Sequence, residues 1–285
     1  MVVREDVLIT ADELARRLAA GEAVTLLDVR WELGDPDGAA AYERGHLPGA
    51  VYVSLDDELT DHSVAGRGRH PLPSGHDLQA AARRWGVRSG VPVVVYDDWN
   101  RAGSSRAWWV LTAAGIPDVR ILDGGLSAWA GELHTGTVTP DPGEVTVAHH
   151  DLNTGALRTI TADVASEGGR ILLDARAPER YRGETETVDP VAGHIPGALN
   201  VPSPSLLTRD GAWRSGSELT RLFDEHRVSP GADIAVYCGS GVTAAVVIAG
   251  LAAVGVDAAL FPGSWSEWSA DPTRPVATGA AAGAT

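Results

Sequence analysis

The feature that most constrains this chain is that it contains itself twice. Leu26-Leu27-Asp28-Val29-Arg30 returns as Leu172-Leu173-Asp174-Ala175-Arg176, and Gly45-His46-Leu47-Pro48-Gly49-Ala50 returns as Gly193-His194-Ile195-Pro196-Gly197-Ala198. Val93-Val94-Val95-Tyr96-Asp97 matches Ile234-Ala235-Val236-Tyr237-Cys238, and Leu122-Asp123-Gly124-Gly125-Leu126-Ser127-Ala128-Trp129 resembles Phe261-Pro262-Gly263-Ser264-Trp265-Ser266-Glu267-Trp268. The blocks recur in one order while their offset shrinks along the chain, as insertions and deletions in surface loops would cause. A tandem duplication of 285 residues implies two domains of one fold. We place the first at 1–140, a linker at 141–155 within the Pro- and Gly-containing stretch after residue 135, the second domain at 156–278, and a Gly/Ala tail at 279–285.

Short β-rich runs alternate with helical stretches in each copy. In the second, 170–174, 199–201, 232–237 and 258–261 read as strands, with helices over 219–227 and, almost wholly apolar, over 243–254. This alternation predicts an α/β fold: in each domain a mostly parallel central sheet flanked by helices. No apolar run approaches the ~18 residues that would span a bilayer, and the first residues lack the basic-then-apolar profile of a secretory signal, so a cytoplasmic chain is expected. The net charge of −15 argues against a nucleic-acid backbone as partner. With no Lys in the sequence, neither a Schiff-base amine nor a Lys-dependent phosphate loop can form. One Cys makes neither an internal disulfide nor a structural zinc site, and no ligand cluster suggests a metal or other cofactor.

That one Cys sits where chemistry is expected. Cys238 ends an apolar strand and is followed by Gly239-Ser240-Gly241-Val242-Thr243 and then the apolar helix. Strand ends facing helix N-termini are ligand sites in open α/β sheets. A Gly-rich loop there turns backbone N–H groups inward, and the helix end favours thiolate over thiol. A buried inert thiol is the bland alternative. A cysteine phosphatase would need an Arg closing the loop, where this chain has Ala244. A Cys–His hydrolase would need a nearby base, and His226, nearest in sequence, reads as a surface residue.

With these motifs the chain resembles the rhodanese superfamily, and the Cys-Gly-Ser-Gly-Val-Thr loop is most similar to that of the 3-mercaptopyruvate sulfurtransferases. Thiosulfate sulfurtransferases of this architecture usually carry Arg-Lys where this chain has Gly239-Ser240. The resemblance implies an enzyme in which Cys238 takes a sulfur atom from a small anionic donor, becomes a persulfide, and yields the sulfur to a thiol, thioredoxin or cyanide. It implies that the N–H groups of Gly239, Ser240, Gly241, Val242 and Thr243 hold the sulfur, that the Ser240 and Thr243 hydroxyls bond the donor, and that Arg180 binds the donor's anionic group, with Arg182 a weaker candidate. Asp56 and His70 of the first copy would complete a Ser–His–Asp relay with Ser240. The family's second substrate Arg has no counterpart: Asp189 stands near its place. The first copy carries Asp97 where the second has Cys238, and forms no persulfide. His46 and His194 are expected to support turns. The reading is a monomeric sulfurtransferase, with 3-mercaptopyruvate ahead of thiosulfate as donor. Its rival from another class is a non-catalytic binding module, which a lost Cys would mark.

Overall fold

The apolar runs repeated in the two halves become the inner strands of two parallel sheets. The computed structural model describes residues 3–34 and 36–280; of the expected tail at 279–285, positions 281–285 lie outside the described residues. The first sheet contains β1 (Leu8–Ile9), β2 (Thr25–Asp28), β3 (Val51–Tyr52), β4 (Val93–Tyr96) and β5 (Val119–Leu122), in the order β1-β5-β4-β2-β3. The second contains β6 (Ile171–Asp174), β7 (Leu199–Asn200), β8 (Ile234–Tyr237) and β9 (Ala259–Leu260), in the order β7-β6-β8-β9. Thr159 makes a single parallel bridge to Leu260, so the place of β1 survives in the second sheet as one residue. Corresponding strands hold the same register, Asp28 beside Tyr96 and Asp174 beside Tyr237. The fold is α/β, with two sheets of one topology.

β4 and β8 are buried at every residue, as strands covered by helices on both faces must be. Helix α1 (Gly75–Arg84) is capped by the Ser74 hydroxyl, which accepts from the Asp77 N–H. Helix α3 (Gly216–Glu225) starts three residues before the expected 219, because Ser215 and Glu218 form a reciprocal capping box that fixes the first turn. The most apolar helices, α2 (Ala102–Ala113) and α4 (Ala244–Ala252), pack against each other across the domain boundary. One hydrophobic core runs through both domains and contains Trp108, Trp109, Val246 and Leu251. That explains why α4 carries no polar face: its own sheet covers one side and the other domain covers the other. Truncating such a core Leu to Ala costs ~2–5 kcal/mol.

The repeated motifs are scaffold. Arg30 and Arg176 each bond the buried carboxylate two residues back, Asp28 at 2.8 Å and Asp174 at 2.7 Å. Arg176 also donates to the Gly193 carbonyl at 2.6 Å, tying the Gly-His-Ile-Pro-Gly turn to the sheet. His46 and His194 stack on Tyr42 and Tyr181 and bond those residues' carbonyls through Nδ1. The Tyr96 and Tyr237 hydroxyls accept from the Leu47 and Ile195 N–H groups. Each turn is thus pinned from both sides.

The segment between the sheets is a strap. After the 3-10 turn at Gly125–Ala128, the described residues form no strand or helix until the 3-10 turn at Leu152–Thr154, yet Val145 and Val147 are buried and the Val145 N–H bonds the Val87 carbonyl.

Candidate active site

Cys238 lies at the carboxyl end of β8, 1% exposed, on the floor of a cleft of about 900 Å³ between the two domains. The loop leading to α4 is held from outside. Ser264 Oγ accepts from the Cys238 N–H at 3.1 Å, and the Trp265 and Ser266 N–H groups donate to the carbonyls of Cys238 and Gly239. Gly241 has φ +79°, and a β-carbon there would stand 2.4 Å from the Pro262 carbonyl oxygen. Only glycine fits, and its conformation aims the Gly241 N–H at Cys238 Sγ, 3.1 Å away. Among the described residues this is the loop N–H that bonds the sulfur; those of Gly239, Ser240, Val242 and Thr243 make no such bond here. Thr243 occupies the helix cap position, but its hydroxyl makes no capping bond and the residue lines the cleft with Val242, Ser240 and Gly239.

The first domain reaches this loop with side chains of its own. His70 Nδ1 lies 2.7 Å from Ser240 Oγ, and its Nε2 lies 3.3 Å from Asp56 Oδ1. Asp56 belongs to the single turn Leu55–Glu58 and also accepts from Trp31 Nε1 at 3.1 Å. The Trp31 ring meets His70 edge-on. With the ring proton on Nε2, facing the carboxylate, Nδ1 is free to accept the Ser240 hydroxyl proton. Burial pushes the His70 pKa down to about 3, and Arg106, Arg69 and His62 add repulsion, so the ring is neutral at physiological pH. The three residues expected to meet do meet, across the domain boundary.

Two arginines absent from the sequence reading also converge here. Arg106, on α2, is fully buried and donates to the carbonyls of Gly241, Leu59 and His70 at 3.3, 3.0 and 3.0 Å. Burial lowers its pKa to about 10, opposed by the nearby Cys238. It remains a cation and joins the nucleophile loop to the segment bearing His70. Its signal in the sequence is a lone charge inside Ala-Gly-Ser-Ser-Arg-Ala-Trp-Trp-Val-Leu, an isolated cation in an apolar helix that must find buried acceptors. Arg69, beside His70 in sequence, ion-pairs with Asp189.

Arg180 lines the cleft and bonds Glu186 at 2.7 Å and Asp189 at 3.1 Å. Asp189 thus anchors two arginines, which corrects its reading as a bare missing cation. Arg182 pairs with Glu184 on the surface and takes no part in the cleft. His226 sits at the end of α3 and bonds the Leu222 carbonyl. Among the described residues no cluster of three or more His, Cys, Asp or Glu could hold a metal ion.

In the first copy the loop equivalent to the Cys238 loop is filled by its own acid. Asp97 accepts from the N–H groups of Trp99, Arg101 and Ser104 at 3.2, 3.2 and 3.0 Å, and from the Ser104 hydroxyl at 2.7 Å. The anion nest is kept, but its occupant is a side chain of the chain itself.

The rhodanese-like domain model matches residues 10–132 and 160–271. A Mycobacterium tuberculosis protein, "Putative thiosulfate sulfurtransferase SseB", is 63% identical over 99% of this chain and 100% of its own length. The 3-mercaptopyruvate sulfurtransferase of Escherichia coli is 37% identical over 93% and 96%. The crystal structure of SseA from E. coli superposes with a TM-score of 0.78 at 35% identity, covering 91% of this chain and 98% of that one. With both halves matched, each to the same domain, the chain belongs to the rhodanese family as a tandem of two rhodanese-like domains.

Proposed function

We propose that the chain is a sulfurtransferase that moves sulfane sulfur from 3-mercaptopyruvate, through a persulfide on Cys238, to a thiol acceptor such as thioredoxin, or to cyanide. The observation that carries this reading is the junction of Cys238 with the Ser240–His70–Asp56 relay, whose Ser240–His70 contact is 2.7 Å. The Cys238 sulfur attacks the donor sulfur and the carbon–sulfur bond breaks. The bonding pair goes to pyruvate enolate, and a proton must reach the enolate carbon. The donor's thiol proton can travel through Ser240 and His70 and return to that carbon, so every member of the relay has work. The acceptor thiol then takes the outer sulfur and restores Cys238.

Thiosulfate is the second reading. It is favoured by the name of the 63% identical relative and by the two arginines near the loop. Its leaving group, sulfite, needs no proton, so the relay would stand idle. We infer a monomer in a reducing, cytoplasmic setting, where the one thiol stays free to cycle; no helix among the described residues is long and apolar enough to cross a membrane.

Mass spectrometry after donor treatment should find one added sulfur, on the Cys238 peptide alone. Cys238→Ser should fold normally and fall below about 1% of wild-type turnover, the mark of covalent catalysis. Steady-state rates should give mercaptopyruvate a kcat/KM at least ~10-fold above thiosulfate, ~1.4 kcal/mol in transition-state binding. Thiosulfate equal or ahead would make the second reading the correct one.

A further inference from the structure

We propose that Arg106 is the positioning residue of the relay: its guanidinium holds the main chain beside Ser240, His70 and Asp56 at once, and so sets the distances along which the proton moves. This rests on the sulfurtransferase reading and names the residue through which the three relay members keep their places.

The acceptors of Arg106 carry the argument. Nη1 donates to the Gly241 carbonyl at 3.3 Å, directly after Ser240. Nη2 is shared among the His70 and Pro71 carbonyls, at 3.0 and 3.3 Å, and the Leu59 carbonyl at 3.0 Å. Leu59 closes the single turn Leu55–Glu58 that bears Asp56, its N–H bonding the Leu55 carbonyl. The segments are far apart in sequence, and one of them belongs to the other domain. Among the described residues no other side chain bonds the main chain of all three.

The charge state of the site points the same way. A buried arginine ordinarily has a carboxylate beside it, as Arg30 and Arg176 do. Arg106 is fully buried, and among the described residues no carboxylate lies within ion-pairing distance of it. The charged group that opposes the effect of its burial is Cys238, an anion as thiolate and again as persulfide. Burying a cation in this way is costly, and an apolar side chain of similar length would serve packing alone at least as well. What only arginine supplies is a rigid plane of donors aimed in different directions.

The two sides of the clamp are unequally secured. The nucleophile loop has further anchors, Ser264 Oγ on the Cys238 N–H and the Trp265 and Ser266 N–H groups on the carbonyls of Cys238 and Gly239. The His70 and Leu59 carbonyls are bonded, among the described residues, by Arg106 alone. Loss of the clamp therefore moves His70 and Asp56 against a loop that stays in place. Helix α2, which carries Arg106, packs on α4, so the register of the domain boundary is passed directly to the Ser240–His70 contact of 2.7 Å.

The test measures wild type, Arg106→Lys and Arg106→Gln, each with and without His70→Gln. Arg106→Lys should lower kcat for 3-mercaptopyruvate at least ~10-fold with KM within about 3-fold, because a shift of about 1 Å slows proton transfer while donor contacts remain. Persulfide formation from thiosulfate, followed in single turnovers, should stay within about 3-fold, since its leaving group takes no proton. In the His70→Gln background Arg106→Lys should change the mercaptopyruvate rate less than about 2-fold, the non-additivity of two residues that act on one step. Arg106→Gln should show the same pattern with a larger loss. Equal losses for the two donors, an undiminished loss in the His70→Gln background, or a wild-type kcat in Arg106→Lys would each overturn the proposal; the first two would leave Arg106 a strut between domains. Should neither variant fold, the arginine side-chain NMR spectrum of the wild type decides: a guanidinium held at both Nη atoms gives separate, slowly exchanging resonances, and one averaged resonance overturns the clamp. A wild type that turns over neither donor would sink the sulfurtransferase reading instead, and the same spectrum would then judge the clamp by itself.

Discussion

Replacing His70 by Gln should separate the two donors. Gln has similar volume and keeps a polar group near Ser240, so the buried site, 6% exposed at His70, need not collapse. What it removes is a base. Burial holds His70 neutral, so it begins each cycle with Nδ1 free to accept a proton. With mercaptopyruvate a proton must leave the donor thiol and reach the enolate carbon, and positioned general acid–base catalysis contributes ~10²–10⁴-fold, or ~2.7–5.5 kcal/mol. With thiosulfate no proton moves to the leaving group. The loss is then one neutral hydrogen bond orienting Ser240, ~0.5–1.5 kcal/mol, at most about 10-fold. We expect kcat for mercaptopyruvate, followed by pyruvate release, to fall at least 100-fold, and persulfide formation from thiosulfate, followed in single turnovers, to fall less than 10-fold. Circular dichroism melts check that both proteins are folded. Equal losses for both donors would refute the relay and leave His70 as a packing residue.

Two further outcomes test the same site. Gly241→Ala forces a positive φ and sets a β-carbon 2.4 Å from the Pro262 oxygen; it should cost ~1–3 kcal/mol in urea unfolding and slow both donors by moving the N–H off Sγ, and wild-type stability with wild-type rates would contradict the loop geometry. His70 also predicts an acid dependence: its folded pKa lies below its unfolded value, so between pH ~6.5 and ~3 the unfolded chain binds the extra proton and stability falls with pH, by up to ~1.4 kcal/mol per unit. His70→Gln should lose that slope, and parallel urea-midpoint curves for the two proteins would show that the imidazole is not held neutral.

The fold was legible because duplication supplies its own control. The inner strands β2, β4, β6 and β8 lie in blocks that recur in both copies, and a run apolar in both copies at the same place is a buried strand rather than chance. Ends were less legible: Val201 lies beyond β7, and α3 begins at Gly216 because Ser215 and Glu218 cap it, a signal present in the sequence but passed over. Cys238 could be found because strand, glycine loop and apolar helix are contiguous around it. Asp56 and His70 needed the resemblance, since nothing local says that a loop of one copy reaches the nucleophile of the other. Arg69 and Arg106 were missed for the same reason. Their partners are Asp189 and the carbonyls of Gly241 and Leu59, far away in sequence.

The distribution of shared and unshared residues explains why two copies persist as one chain. Beyond the anion nest, what the halves have in common is scaffold: the Asp–Arg pairs, the stacked Tyr–His turns, the strand register. Where they differ, one gives what the other needs. The second copy presents the thiol, and the first fills its own anion nest with Asp97. The segment of the first copy between β3 and α1 carries Asp56, Arg69 and His70 to its partner's loop, and its helix α2 brings Arg106. Since α2 and α4 also share one core, a change that loosens their packing should act on rate before it unfolds the protein: the Ser240–His70 contact spans the same boundary, and proton transfer is far more sensitive to a shift of 1 Å than apolar contact is.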